Sequence, residues 1–291
     1  MPTNGYRLGL PLWGERAWAG SLYTKDARPA DYLEQYARVF DAVEGNTTFY
    51  HSPSSTTVLK WREQTPTSFR FCFKLPRRVT HDLELENVER DTALFLDLMS
   101  PLEERLGPFH IQLPPSFSPD RFPLLERFAD WLPREFSYAV EVRHPGFYRE
   151  PHRERLDEML GSRRIDRVIM DTRPFRSGDA THPDVVAVEH KKPDLPVQMR
   201  RTGPHGFVRS ICHPDRDTNA KWFEELGADV ATWVRDGATP YVFVHCANNE
   251  KAPPLARDAH DAIRKAVLQI GPMPEWPGEA HETRAGQMSM L

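Results

Sequence analysis

The spacing of short apolar segments limits the folds open to this chain more than any other feature. Segments rich in Val, Ile, Phe and Tyr begin near residues 7, 42, 69, 109, 138, 167, 206 and 241, so successive segments start 27 to 40 residues apart. A strand with a helical crossover takes about 30 residues, whereas the strands of a β-sandwich recur about every 8–12 residues. Several segments are apolar on both faces, which is typical of buried parallel strands. The pattern therefore predicts eight parallel strands joined by helices.

Eight such units predict an α/β fold, a single (β/α)8 TIM-type barrel. A barrel of this kind typically takes about 250 residues, and we expect the domain to cover residues 1–270 of the 291. A doubly wound open sheet is the alternative, but no G-x-G-x-x-G motif follows the first predicted strand. The sixth crossover, residues 173–205, is interrupted by prolines and shows no helical period, so we expect it to be irregular. Residues 271–291 start with a proline-rich stretch and are predicted to be a disordered C-terminal tail.

Composition excludes several classes of protein. The net charge of −4, from 38 basic and 42 acidic residues, argues against a protein that coats nucleic acid by bulk charge. No apolar run approaches the roughly 18 residues of a membrane-spanning helix, so we expect no membrane partner. The three cysteines, Cys72, Cys212 and Cys246, are widely separated, which is typical of a reducing compartment. Together with the absence of a signal-peptide pattern, this predicts a cytoplasmic protein; the sequence indicates no oligomeric state.

Polar side chains collect where the predicted strands end. The active site of a (β/α)8 barrel lies at the carboxyl ends of its strands. The residues that fall there after strands two to eight are Glu44, Asn46, Lys74, Gln112, Glu141, Arg143, His144, Asp171, Arg173, Arg209 and His245. Because a buried charge costs several kcal/mol unless it is paired, we expect these acids and bases to pair around one mouth and to hold a polar or anionic ligand. An ion-pair network that only closes the top of the barrel is the alternative.

Three of these residues are the candidates for catalysis. Glu141 and Arg143 are two positions apart and so share one face of the fifth strand, which would let the arginine set the pKa of a general base. We therefore predict Glu141 as the acid/base group. Lys74 is predicted as an anion anchor or electrophile, and Asp171 as the carboxylate that orients the reacting groups.

Residues outside the strand ends could extend the ligand site. His81 follows Arg77 and Arg78 in a loop and is a candidate acid/base group or phosphate contact. Trp13 and Tyr50 follow the first and second strands and could stack on a sugar or a base. For each of these side chains, packing or loop anchoring is the alternative.

We predict no metal and no cofactor. The ligand types for a metal are present, but arginines lie two residues after Glu141 and after Asp171 and would neutralise these carboxylates. No H-E-x-x-H motif occurs in the sequence.

Four stretches of the sequence resemble the YecE-like family, domain of unknown function 72. They are VEGNTTFY at 43–50, FRFCFKLPRRVTH at 69–81, LGPFHIQLPPSF at 106–117 and AVEVRHP at 139–145. The resemblance covers about residues 6–265 and implies a (β/α)8 barrel, but it implies no known reaction. Our hypothesis is an enzyme that acts on a small polar or phosphorylated compound by acid/base chemistry at the mouth. The alternative is a non-catalytic or metal-assisted protein that binds nucleic acid or a nucleotide.

Overall fold

Eight parallel strands form one sheet in the computed structural model of the chain, which describes residues 5–267 and 269–280. The strands are β1 Arg7–Leu10, β2 Ala42–Gly45, β3 Arg70–Phe73, β4 Phe109–Gln112, β5 Tyr138–Glu141, β6 Asp166–Asp171, β7 Phe207–Cys212 and β8 Tyr241–Cys246. Each lies within two residues of where the apolar segments predict it to start. The predicted positions of the strands are therefore confirmed.

The sheet closes into a barrel. The order of neighbouring strands is β3-β2-β1-β8-β7-β6-β5-β4. Between β3 and β4 the ladder is reduced to isolated parallel bridges, Phe71 with Leu106 and Lys74 with His110. The predicted (β/α)8 barrel is confirmed, with its loosest seam between the third and fourth strands.

Helices surround the barrel and connect successive strands. Their bounds in the described chain are α1 Tyr32–Tyr36, α2 Ser55–Gln64, α3 Glu89–Met99, α4 Phe122–Trp131, α5 His152–Ser162, α6 Arg173–Arg176, α7 Pro183–Val186, α8 Ala220–Arg235 and α9 Ala252–Ala266. Helix α4 shows why they form: Phe122, Leu125, Phe128 and Ala129 recur at helical spacing and are buried against the barrel. Helix α4 thus covers the outer face of the sheet.

The side chains inside the barrel alternate with those that face the helices. One apolar cluster fills the barrel interior and consists of Ala42, Cys72, Ala139, Val168, Phe207, Tyr241 and Phe243. Because successive side chains of a strand point to opposite faces, the next inward-facing residue of each strand lies two positions later, one level nearer the carboxyl end. That alternation places Glu44, Lys74, Glu141, Arg209 and His245 in one interior layer.

The sixth crossover lies over one side of the mouth. Between β6 and β7 it holds the one-turn helices α6 and α7 and a 3-10 turn, Glu189–Lys191, so the predicted irregularity is confirmed. Phe175 and Val185 pack with Ile211, and Met170 and Ala247 lie against the same cluster. Ile211, Met170 and Ala247 lie at or just after the carboxyl ends of β7, β6 and β8, respectively. We call residues 173–192 the covering segment.

The stretch after α9 packs against the barrel. Trp276 is buried, and the guanidinium of Arg257 lies 3.7 Å from the centre of its ring. Arg257 also donates two hydrogen bonds to Glu279, at 3.0 and 2.9 Å. Residues 271–280 are thus part of the folded domain, and the prediction of a disordered tail is wrong for them because a buried tryptophan outweighs the prolines. Residues 281–291 of the predicted tail lie outside the described part of the chain.

In the same described part of the chain, no helix combines the length and the apolar character that crossing a membrane requires.

Candidate functional site

Arg209 lies between two buried carboxylates at the carboxyl end of the barrel interior. Its Nε is 2.6 Å from Oε1 of Glu44, and its Nη1 donates to Oε2 of Glu141 at 2.8 Å. Burial alone would raise the pKa of both carboxyls. The charge of Arg209, joined at Glu141 by that of Arg143, outweighs burial and holds both pKa values well below the usual range. Glu44 and Glu141 are therefore ionised at neutral pH.

Two histidines reach the same carboxylates. Nε2 of His110 lies 3.0 Å from Oε2 of Glu141, and Nε2 of His245 lies 3.0 Å from Oε2 of Glu44. Burial lowers the pKa of each histidine to about 4, so both rings are neutral at pH 7. Nδ1 of His110 lies 3.6 Å from Oε1 of Glu44, beyond a hydrogen bond, and has no partner among the described residues. That nitrogen keeps hydrogen-bonding capacity inside the mouth.

Lys74 enters the cluster from the end of β3. Its Nζ donates to Oε1 of Gln112 at 2.9 Å and lies 5.5 Å from the centre of the Phe49 ring. Burial, and then the charge of Arg209, lower the pKa of Lys74 to about 7. Both the ammonium and the amine are therefore populated at neutral pH.

Arg143 joins Lys74 to the carboxylates. It donates from Nε to Glu141 at 2.6 Å and from Nη2 to the Gln112 oxygen at 3.0 Å. Asn46 donates to Oε2 of Glu44 at 2.9 Å, while its own buried Oδ1 has no hydrogen-bond partner among the described residues. Arg143 is half-buried, so the cluster reaches solvent on this side.

His81 and Tyr50 lie at the rim of the mouth. The ring of Phe49, which packs on Lys74, meets His81 edge to face at 4.8 Å and Tyr50 edge to face at 5.0 Å. Burial and the charges of Arg143 and nearby cations lower the pKa of His81 to about 4, so His81 is neutral at pH 7. Tyr50 is 69% exposed. The rim therefore offers a neutral imidazole and a free aromatic face.

Two residues join this site although the sequence did not single them out. His110 is two positions before Gln112 in the same strand, so the alternation that predicts Gln112 in the mouth also predicts His110 there. Lys192 comes from the covering segment. Burial, followed by the charges of Arg209 and Arg143, lowers the pKa of Lys192 to about 8. No periodic signal marks Lys192, because the covering segment has no regular structure.

Asp171 and Arg173 lie outside the mouth, so the predictions that they belong to the site are wrong. Asp171 is in register with Ser210, the neighbour of inward-facing Arg209, and therefore faces the helices. It accepts hydrogen bonds from Arg173 Nε and Nη2 at 2.9 and 2.8 Å. Arg173 continues outward to Glu225 of α8 at 3.1 Å. The pair ties β6 to an outer helix.

Trp13 and His144 have structural contacts instead of a place in the mouth. Trp13 meets Trp61 of α2 edge to face at 5.3 Å and Phe71 at 6.1 Å, so it packs between the barrel wall and a helix. The Nδ1 of His144 accepts a hydrogen bond from the backbone N–H of Gly146 at 3.0 Å and caps a short turn. The prediction that they contact ligand is wrong for Trp13, and the structure gives His144 a local role.

The charge pattern of the mouth does not have the form of a metal centre. Among the described residues, no group of three or more His, Cys, Asp or Glu side chains is arranged to hold a metal ion. The guanidinium of Arg209 fills the space between the two carboxylates. The three cysteines are buried and free.

Comparison with known proteins gives a family and a fold. The model of the family described as protein of unknown function DUF72 matches residues 7–279. UPF0759 protein YecE of Escherichia coli (strain K12) is 37% identical over 274 residues, which is 94% of this chain and 98% of that protein.

Solved structures of the same family share the barrel. A DUF72 family protein from Enterococcus faecalis V583 superposes with a TM-score of 0.69 at 19% identity, over 89% of this chain and 95% of that chain. One from Thermotoga maritima MSB8 gives a TM-score of 0.67 at 25% identity, over 86% and 96%. These names state no substrate, so the reaction must be inferred from the site.

Proposed function

Because the chain belongs to the DUF72 family and the family name carries no reaction, we propose a function from the mouth itself. The proposed function is that of an enzyme that binds a small polar anion, such as a phosphorylated compound, and moves a proton through Lys74. One observation carries the proposal: ionisable side chains from β2, β3, β4, β5, β7 and β8 converge in one buried layer. That layer keeps unpartnered polar atoms and a lysine that titrates near neutral pH.

The charge balance of the mouth favours an anion. Glu44 and Glu141 contribute two negative charges, which Arg143 and Arg209 offset, while the histidines are neutral. Lys74 and Lys192 then add positive charge below pH values of about 7 and about 8. Since a buried charge is costly unless it is paired, an anionic ligand between the two lysines would stabilise their ammonium forms.

The unpartnered polar atoms argue against a purely structural ion-pair network. A buried donor or acceptor without a partner costs about 1–3 kcal/mol, and such groups are rare outside functional sites. In the mouth, Oδ1 of Asn46 has no hydrogen-bond partner among the described residues, and Nδ1 of His110 lies 3.6 Å from Oε1 of Glu44, beyond a hydrogen bond. A ligand with hydroxyl or phosphate oxygens would satisfy them.

Lys74 is better suited than Glu141 to transfer a proton. Catalytic acids and bases work best when their pKa lies near the operating pH. Glu141 is held by Arg143 and Arg209 with its pKa far below neutrality, so it is a weak base there. With the anionic ligand bound, the ammonium of Lys74 can instead donate a proton to an oxygen of the ligand, and the resulting amine takes a proton back from the ligand in the second half of the reaction. Arg143 offsets the negative charge of the bound ligand.

The test uses thermal shift and calorimetry with a panel of sugar phosphates. Lys74→Met removes the amine but keeps the length and apolar stem, and Lys60→Met, on the exposed face of α2, is the matched control. We expect at least one ligand of the panel to bind wild type and Lys60→Met equally well. The same ligand should bind Lys74→Met at least about tenfold more weakly, because one charge-assisted contact is lost. Equal binding to all three proteins would refute the mouth as the anion site.

A nucleotide is the second candidate ligand, favoured by the exposed ring of Tyr50. This ring stands at the rim beside Phe49, which contacts Lys74, so a base could stack on Tyr50 while its phosphate reaches the lysine. Tyr50→Ala should then weaken the binding of nucleoside monophosphates several-fold and leave the binding of sugar phosphates unchanged.

We also propose a cytoplasmic setting, which the three free thiols support.

A further inference from the structure

A cavity lies at the amino-terminal end of the barrel, opposite the mouth. It has a volume of about 440 Å³ and opens where β5, β6 and β7 begin. That volume falls within the roughly 300–1,000 Å³ of small-molecule sites. The interior layer of aromatic and apolar side chains separates it from the mouth. We call it the basal pocket.

The lining of the basal pocket is mostly apolar, with three arginines among its twelve described residues. The apolar part is formed by Leu132, Pro133, Phe136, Tyr138, Ile165 and Pro204. The cationic part consists of Arg134, Arg163 and Arg164 with the imidazole of His205 beside them. None of the twelve described lining residues is acidic. A pocket of this kind suits a ligand with an apolar body and a negative group.

Two of the three arginines have no ion-pair partner. Arg163 donates two hydrogen bonds to Asp130, at 2.8 and 3.0 Å. Arg134 and Arg164 make no ion pair within 4.0 Å with any carboxylate of the described chain. The hydrogen bond and charge of Arg163, and the charge of Arg134, lower the pKa of the exposed Asp130 carboxyl. Arg134 and Arg164 are exposed at the edge of the pocket, so their guanidinium groups can reach a ligand there.

His205 shows that the field in the basal pocket is positive. Its ring meets the Tyr241 ring edge to face at 5.4 Å. Burial, and then the charges of Arg7, Arg164, Arg201 and Arg70, lower the pKa of His205 to about 4.

One buried acid lies close by, and it does not cancel this field. Oδ1 of Asp166 accepts hydrogen bonds from the backbone N–H groups of His205 and Gly206, at 3.0 and 2.8 Å. Burial raises the pKa of Asp166 to about 6 despite these bonds. This carboxylate binds the backbone and also interacts with Arg201, so it offsets part of the positive charge around His205 and leaves Arg134 and Arg164 without an ion pair among the described residues.

We propose that the basal pocket binds a small organic anion, one that joins a carboxylate or phosphate group to an aromatic or branched apolar body. The negative group lies between Arg134 and Arg164, and the apolar body packs on Phe136, Tyr138 and Ile165. This site is independent of the mouth and of the reaction proposed there.

The test uses phenyl phosphate and benzoate as probes, with phenol and inorganic phosphate as the uncharged and the non-aromatic comparisons. Binding is followed by calorimetry and by the NMR signals of the His205 ring. We expect saturable binding of at least one aromatic anion, with the pKa of His205 rising from about 4 toward its ordinary value as the anion offsets the arginines. Phenol and inorganic phosphate should bind more weakly. Comparison of phenyl phosphate with benzoate shows whether the pocket prefers a phosphate or a carboxylate group.

Variants locate the site. Arg134→Gln and Arg164→Gln should each weaken the binding of the aromatic anion about tenfold, as expected for the loss of one charge-assisted contact. Arg127→Gln, an exposed arginine of α4 outside the pocket, and Lys74→Met, in the mouth, should leave it unchanged. Both pocket arginines are exposed, so their replacement should preserve the fold, which circular dichroism checks. No saturable binding, equal loss in Arg127→Gln, or loss only in Lys74→Met would overturn the proposal.

Discussion

Removing Arg209 should destabilise the barrel far more than removing an ordinary arginine. In Arg209→Met, Glu44 and Glu141 stay buried without the guanidinium that bridges them. Breaking a buried ion pair from one side costs about 3–5 kcal/mol. We therefore expect Arg209→Met to lower the free energy of unfolding at pH 7.5 by about that amount, measured by urea denaturation.

The loss should depend on pH in a defined direction. In wild type the pKa values of Glu44 and Glu141 in the folded state lie below their values in the unfolded chain. The two carboxylates therefore stabilise the fold at pH values above the unfolded pKa, and this stabilisation is lost as the pH falls through the folded pKa. Without Arg209, Glu44 loses the largest charge that opposes its burial, so its pKa rises, whereas Glu141 keeps its contact with Arg143. The penalty should therefore be greatest above pH 7 and shrink toward pH 5.

An exposed ion pair gives the matched control. Arg38→Met breaks the pair with Glu34 on the surface of the protein and should cost less than about 1 kcal/mol at any of these pH values. If Arg209→Met costs no more than Arg38→Met, or if its cost does not change between pH 7.5 and pH 5, the two carboxylates are not a buried, ionised pair held by Arg209.

Three further predictions separate the site from its surroundings. Asp171→Asn should change ligand affinity at the mouth less than about twofold, since it faces α8; a tenfold loss in calorimetry would place it in the site. Phe175→Ala should speed hydrogen exchange in the covering segment, because it removes the contact with Ile211, and unchanged exchange would show that this contact does not hold the segment. Trp276→Ala should lower the free energy of unfolding by about 3–5 kcal/mol; a loss under 1 kcal/mol in urea denaturation would mean that residues 271–280 do not pack as described.

The barrel and most of its mouth follow from one periodicity. Once the strands are placed, the two-residue alternation puts Glu44, Lys74, Glu141 and Arg209 in one layer with the correct phase. The same rule places His110 there. It also excludes Asp171, which is three residues after inward-facing Val168 and therefore points to the opposite face of β6.

The other differences depend on contacts between segments that are distant in sequence. Trp13 is a packing residue because α2 brings Trp61 against it, and no local pattern reveals that contact. Lys192 reaches the mouth because the covering segment folds back over β7, which its irregular sequence does not indicate. Trp276 is buried by partners on α9, among them Arg257. A sequence gives periodicity within one segment, but the partner of a loop residue is set by the assembled fold.

The pKa of Lys74 tests the site most directly. It can be measured by NMR on protein with labelled lysine side chains, with Lys74→Met to assign the signal, first alone and then with a saturating phosphorylated ligand. The geometry of the mouth predicts a midpoint at about pH 7 without ligand and a clear rise once an anion is bound. A midpoint near 10.5 that no anion moves would contradict a buried, anion-binding Lys74.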